Sequence, residues 1–319
     1  EGAHAMTDLP HRVEITEEGP REGFQIEPGP IPTADKIALI EALSGTGLRR
    51  IQAASFVSPK IVPGWADAEA VVGGFSPRVG VDYTALWFNA AGLEGALAFK
   101  DRLSIFGSVT VTASEAFTRR NLNKTQAEQL VAQRLNIAAH RAQGVAMERV
   151  SVQAAFGCNF GGEVAAAEAL AVLEDAMALA ADEGCAIRRV TLADSMGWAT
   201  PLRVERLVGA VRARFPELEI VLHLHDTRGL GIACAAAGLR LGVAKYDAAV
   251  AGLGGCPFAG QPGAPGNIAT EELVFLCHEM GVETGVDLGA LLEAARLAER
   301  IVGHPCPSNL LRAGVRRAA

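Results

Sequence analysis

The stretch Val221-Leu222-His223-Leu224-His225-Asp226 closes a β-rich run on two histidines. Side chains alternate faces along a strand, so His223 and His225 project together while Leu224 turns to the opposite face. Imidazole is the commonest metal-ligating side chain, and two held at one strand end supply half of a metal site. A bare His-x-His is also open to a plainer reading, two histidines hydrogen-bonded among loop groups. The rest of the chain has to separate the two.

Working outward, this run is the seventh of eight β-rich runs, at 12–16, 50–54, 82–86, 102–106, 148–154, 188–193, 219–223 and 246–250. Between them lie Ala/Leu-rich helical patterns at 33–44, 124–143, 163–183, 201–215 and 231–241. In 124–143, Ala127, Leu130, Val131, Leu135 and Ala138 recur at i, i+3, i+4 spacing. Eight β/α repeats with short connections predict an α/β fold, a TIM (β/α)8 barrel. A doubly wound open sheet competes, but no GxGxxG follows the first run. Two further helical runs, 270–280 and 288–302, exceed the barrel's needs and predict extra C-terminal helices acting as a cap or a subunit contact. Residues 1–6 read as a tag remnant, 12–302 as one barrel domain with its cap helices, and 303–319 as a tail.

Composition narrows the class. The chain has 319 residues, of which 50% are hydrophobic and 20% charged, which fits a globular enzyme and not a disordered chain. A net charge of −7 gives no basic footprint for nucleic acid. Apolar stretches such as 165–181 are interrupted by Glu and Asp, so no membrane span is expected. The six cysteines form no CxxC pair and read as reduced thiols of a cytoplasmic protein.

Barrel enzymes place catalysis at the C-terminal ends of their strands. The first run leads into Gly19-Pro20-Arg21-Glu22-Gly23-Phe24-Gln25, and the second into Ser55-Phe56-Val57-Ser58-Pro59-Lys60. Asp194 ends the sixth, and the histidine pair ends the seventh. The eighth leads into Ala251-Gly252-Leu253-Gly254-Gly255-Cys256-Pro257-Phe258, with Asn267 beyond. Chemically capable residues thus collect at one end.

Together these motifs resemble the 3-hydroxy-3-methylglutaryl-CoA lyase family of metal-dependent barrel lyases, over nearly the whole chain. The resemblance implies a divalent cation, Mg²⁺ or Mn²⁺, on Glu22, His223, His225 and Asn267. Mixed carboxylate, imidazole and amide ligation suits such an ion. It implies an acyl-CoA substrate, a homodimer, and retro-Claisen cleavage to acetyl-CoA and acetoacetate. Arg21 would stabilise the developing enolate, Asp194 would handle the hydroxyl proton, and Cys256 would protonate the enolate carbon. Gln25, Gln52, Ser55, Trp87, Asn89, Gly254 and Gly255 would line the substrate.

The chain departs from the family pattern in four places, one of them the segment 256–267, which reads as slightly longer than the usual loop. Glu22 stands where the family has Asp, one methylene shorter. Gln52 stands where an acid is usual, and an amide neither ionises nor accepts a proton usefully. Leu86-Trp87-Phe88-Asn89 replaces a Thr-Pro-Asn run, so two large rings either reshape the pocket or fill core. These departures keep three alternatives open: a lyase for a related substrate such as citramalyl-CoA, a Claisen-type synthase, or a non-catalytic CoA- or metal-binding relative.

Overall fold

In the computed structural model, which describes residues 9–256, 259–260 and 263–315, the first and last strands of the sheet lie side by side. β1 (Glu14–Glu17) pairs in parallel with β2 (Arg50–Phe56) on one flank and with β10 (Lys245–Ala248) on the other. The full order is β3 (Asp82–Trp87), β2, β1, β10, β9 (Glu219–His223), β8 (Arg189–Ala193), β5 (Met147–Gln153), β4 (Gly107–Thr112). Every pairing is parallel. This is chain order bent into a ring, the topology of a TIM barrel; an open doubly wound sheet would leave the last strand at an edge. Among the described residues no ladder joins β3 to β4, so the ring has a seam there. β6 (Gly157–Cys158) and β7 (Gly162–Glu163) form a small separate hairpin. The expected tag remnant, 1–6, lies outside the described residues.

The fourth strand corrects the sequence reading. Residues 102–106 were expected to form it, but the ladder with β5 starts at Gly107. The apolar side chains of 103–106 mimic a strand, yet their backbone is spent on the exit from α3 (Ala90–Leu97). Arg102 N and Leu103 N both donate to Phe99 O, at 2.8 and 2.9 Å. Only Ser104 N reaches the sheet, bonding Tyr83 O at 2.8 Å.

The long helices fall within the expected windows: α1 (Thr33–Ser44), α5 (Gln126–Ala142), α6 (Ala166–Asp182), α7 (Pro201–Arg214), α8 (Gly231–Arg240), α9 (Thr270–Glu279) and α10 (Leu288–Val302). Short α2 (Ala68–Gly74), α3, α4 (Glu115–Leu122) and α11 (Asn309–Ala313) carry too few turns to show a helical period. α10 is not a cap. It buries Leu291, Leu292, Ala295 and Ala298, and it packs on α1, α9 and the turn at Val250–Gly252, within the outer helical layer. The segment after it is anchored too, with Leu310 buried.

The two ends of the barrel differ in chemistry. At the N-terminal ends of the strands, a chain of opposite charges runs Asp82–Arg50–Glu14–Lys245–Glu219–Arg189, with contacts from 2.9 to 3.8 Å. Such half-exposed pairs contribute about 0.2–1 kcal/mol each, so their main effect is on strand register. At the other end Glu17, fully buried, ties β1 to the last loop. Its Oε1 accepts from Gly19 N (2.7 Å) and Val250 N (2.8 Å), and its Oε2 accepts from Thr270 Oγ1 (2.6 Å).

Burial pushes the Glu17 carboxyl up from 4.5 to about 7. The folded protein therefore binds this proton more tightly than the unfolded chain, and stability falls as pH rises from about 4.5 through 7, then levels. Glu17→Gln removes the proton uptake and is expected to flatten the loss of stability between pH 5 and 8 by up to about 3 kcal/mol. Thermal melts across that range check this; an unchanged slope would contradict it.

Candidate active site

The turn after β1 builds one wall. Pro20 brings no N–H, and Glu22 N bonds Glu18 O at 2.8 Å across a single wide turn, Gly19–Gly23. Gly19 is required, because a Cβ there would sit 2.6 Å from Glu17 Oε1 and 2.7 Å from Val250 Cγ1. The turn aims Glu18, Arg21 and Glu22 inward, and buried Trp65 pins it by donating Nε1–H to Arg21 O at 2.9 Å. Arg21 Nη2 lies 2.7 Å from Glu18 Oε2 and 3.1 Å from Glu22 Oε2, and its Nε donates to Gln52 Oε1.

The histidine run builds the opposite wall. His223 and His225 share a face, with Nε2 atoms 3.2 Å apart, while Leu224 is fully buried behind them. Beyond β9 the chain continues in extended form against 266–268. Asp226 N bonds Gly266 O (2.7 Å) and Ile268 N bonds Leu224 O (3.1 Å). That pairing delivers Asn267, whose Nδ2 donates to Glu22 Oε1 (2.8 Å) and Leu253 O (3.0 Å). Gly255 N adds a second hydrogen bond to Glu22 Oε1, at 3.1 Å. Gly254, at φ +84°, is needed for close approach: a Cβ would meet Asn267 Nδ2 at 2.7 Å and Glu22 Cγ at 2.9 Å.

Glu22, His223 and His225 thus present ligand atoms within 4.8 Å of one another. Asn267 Oδ1 is buried and has no hydrogen-bond partner among the described residues. An orphaned acceptor beside two facing imidazole nitrogens and a carboxylate fits a hard-to-borderline divalent cation. His223 Nδ1 lies 3.4 Å from Asp247 Oδ2, the carboxylate–imidazole contact that fixes a ligand's tautomer. Burial opposes charge on His223, but Asp247, Glu22 and Glu18 outweigh it and push the ring up to about 9. His225, buried beside that charge, falls to about 4. Burial opposes the charge on Glu22 as well, but Arg21 and both histidines hold its carboxyl far below the usual range.

The remaining expected residues divide. Asp194 is buried at the end of β8. Its N bonds His223 O (2.8 Å), and its Oδ1 accepts from Trp198 N (2.6 Å). Burial pushes its carboxyl up to about 6. Cys256 is half-buried and packs against the Phe117, Ala154, Cys158, Met196 and Ala259 cluster. Gln25 Oε1 and Ser55 Oγ are buried without partners among the described residues. Two residues point elsewhere. Trp87 sits in the helix layer, donating its indole N–H to His140 of α5 at 3.0 Å, and Asn89 is exposed and caps α3 through Gly92 N at 2.9 Å. Phe88 is exposed as well. Sequence reasoning missed Glu18 and Asp247. The available signal was an acid embedded at the end of a buried parallel strand, where charge is rare unless paired.

Fold and site together define a parallel-barrel enzyme with its carboxylates, imidazoles and guanidinium gathered at the C-terminal strand ends. The profile of the HMGL-like family matches residues 12–298, and the chain belongs to that family. The hydroxymethylglutaryl-CoA lyase of Bacillus subtilis (strain 168) is 39% identical over 303 residues, 95% of this chain and 97% of the relative. The solved structure of the Bacillus subtilis HMG-CoA lyase superposes with a TM-score of 0.86 at 37% identity, covering 96% of this chain and 98% of that one. The HMG-CoA lyase of Acinetobacter baumannii, solved with coenzyme A and 3-methylmalate, gives 0.83 at 36% identity, covering 99% and 100%.

Trp87→Phe leaves buried His140 Nε2 without its donor, and the expected cost is about 1–3 kcal/mol of stability with Mn²⁺ affinity and KM unchanged. Melts, calorimetry and steady-state kinetics check this. A shifted KM at unchanged melting temperature would return Trp87 to the pocket.

Proposed function

We infer that this protein is a divalent-cation-dependent carbon–carbon lyase that cleaves 3-hydroxy-3-methylglutaryl-CoA to acetyl-CoA and acetoacetate. The observation that carries the reading is near-full-length identity of 39% to a hydroxymethylglutaryl-CoA lyase in a chain that also gathers Glu22, His223, His225 and Asn267. A citramalyl-CoA lyase, a synthase and a non-catalytic relative are not favoured.

Glu22, His223, His225 and Asn267 would hold the cation, Mg²⁺ or Mn²⁺. When bound, it supplies Lewis acidity that lowers the pKa of the substrate's tertiary hydroxyl. Asp194, with its carboxyl near 6, is a base matched to neutral pH and takes the hydroxyl proton. As the carbonyl forms, the C–C bond breaks and its electron pair passes to the thioester enolate. Arg21 has committed Nε and Nη2 to Gln52, Glu18 and Glu22, which leaves Nη1 to meet the enolate oxygen. The Cys256 thiol then gives its proton to the enolate carbon, releasing acetyl-CoA. Gln25, Ser55, Gly254 and Gly255 would bound the substrate.

We further propose a cytoplasmic homodimer. No helix among the described residues is long and apolar enough to cross a membrane. Val131 and Leu135, one turn apart on α5, are exposed and apolar.

Acetyl-CoA release from a panel of 3-hydroxyacyl-CoAs tests the activity. Release is expected from the 3-hydroxy-3-methylglutaryl thioester, abolished by EDTA and restored by Mn²⁺. His225→Ala should weaken Mn²⁺ binding at least about tenfold, because a ligand is lost outright. Release from no substrate, or full release after EDTA, would overturn the reading.

A further inference from the structure

We infer that Glu18 is a positioning residue: from the end of β1 it supplies the carboxylate that aims Arg21, a duty for which position 52 offers only an amide. The inference rests on the lyase reading for its kinetic test and on geometry for its argument. The Glu18 and Arg21 side chains are only 6% and 10% exposed, so the 2.7 Å contact between them is a buried, charge-assisted hydrogen bond. A guanidinium is a planar fork, and it is aimed only when two of its edges are held. Gln52 Oε1 holds the Nε edge, and Glu18 Oε2 holds Nη2.

Charge balance makes Glu18 and Gln52 a coupled pair. Glu22 Oε2 also lies near Arg21 Nη2, at 3.1 Å, on the same edge that Glu18 Oε2 meets at 2.7 Å, while Glu22 Oε1 faces Asn267, Gly255 and His225. Gln52 brings an acceptor and no charge, so the charge-assisted hydrogen bond that holds Arg21 Nη2 comes from Glu18. An acid at position 52 would set three carboxylates around one buried guanidinium, and like charges at that spacing cannot all stay ionised. In this chain the carboxylate stands at 18 and the amide at 52. Glu18 Oε2 also lies 4.0 Å from His223 Nδ1, but Asp247 is nearer, at 3.4 Å, and holds that ring. Neutralising Glu18 takes a hydrogen-bond partner from Arg21 and only a 4.0 Å neighbour from His223.

The test compares Glu18→Gln, Gln52→Glu and the double variant in the full-length, metal-loaded enzyme. Three readouts are taken: kcat and KM, Mn²⁺ affinity by electron paramagnetic resonance, and the Arg21 Nε–H signal in ¹⁵N-arginine-labelled protein, assigned by its absence in Arg21→Lys. Glu18→Gln should lower kcat about 10–100-fold, with KM and Mn²⁺ affinity within about threefold, and should broaden the Arg21 signal. The double variant should recover both kcat and the signal, while Gln52→Glu alone should be no faster than the parent. Unchanged kcat and signal in Glu18→Gln overturn the inference. So does a double variant that melts cooperatively yet performs no better than Glu18→Gln. If the parent protein cleaves no thioester, the lyase reading fails, and the Arg21 signal alone decides whether Glu18 aims the guanidinium.

Discussion

The carboxylate of Glu22 is where three distant parts of the chain meet. Its Oε1 accepts from Asn267 and Gly255, and its Oε2 faces Arg21, while His225 stands 3.9 Å from Oε1. The contact with Asn267 spans 245 residues of sequence. It exists only because the barrel sets β1 beside β10 and because 266–268 pair with the run after β9. Gly19 and Gly254 are the permissive points, since a Cβ at either would clash with this junction. The fold's closure and the site's assembly are therefore the same event.

Charge at the junction is arranged by burial. Glu17 and Glu271 are fully buried, are pushed up to about 7, and bind backbone N–H groups of the turn at Val250–Gly252. That turn contains Ala251 at φ +60°, a conformation a non-glycine residue holds only when its surroundings impose it. The two carboxyls supply that constraint and fix the start of the Gly-rich loop. The charge chain at the other end of the barrel is half-exposed and worth little per pair. Glu17, Glu18, Arg21, Asp194 and Asp247 are all buried at the end where the site is.

Much of this was legible in the sequence, for identifiable reasons. Parallel strands are buried on both faces and read as continuous apolar runs, so seven of the eight were found close to their positions. The fourth was displaced because Leu103, Ile105 and Phe106 have strand-like side chains on a backbone committed to a helix exit. Trp87 was expected at the pocket because it ends β3, but alternation along that strand turns it outward to His140, which no local pattern reveals. Glu18 and Asp247 were missed because a carboxylate's partner is set by tertiary geometry: Arg21 lies three residues from Glu18, but His223 lies 24 residues from Asp247 in the neighbouring strand. Gln52 read as a missing acid in the sequence. In the structure its amide oxygen accepts from Arg21 Nε.

The central claim is that a divalent cation sits among Glu22, His223, His225 and Asn267. Anomalous diffraction at the manganese edge from a Mn²⁺-loaded crystal tests it directly. The account predicts one strong peak bounded by those four side chains. A peak instead within the neighbouring group of Glu18, His223 and Asp247, or no peak at the histidine pair at all, would contradict it.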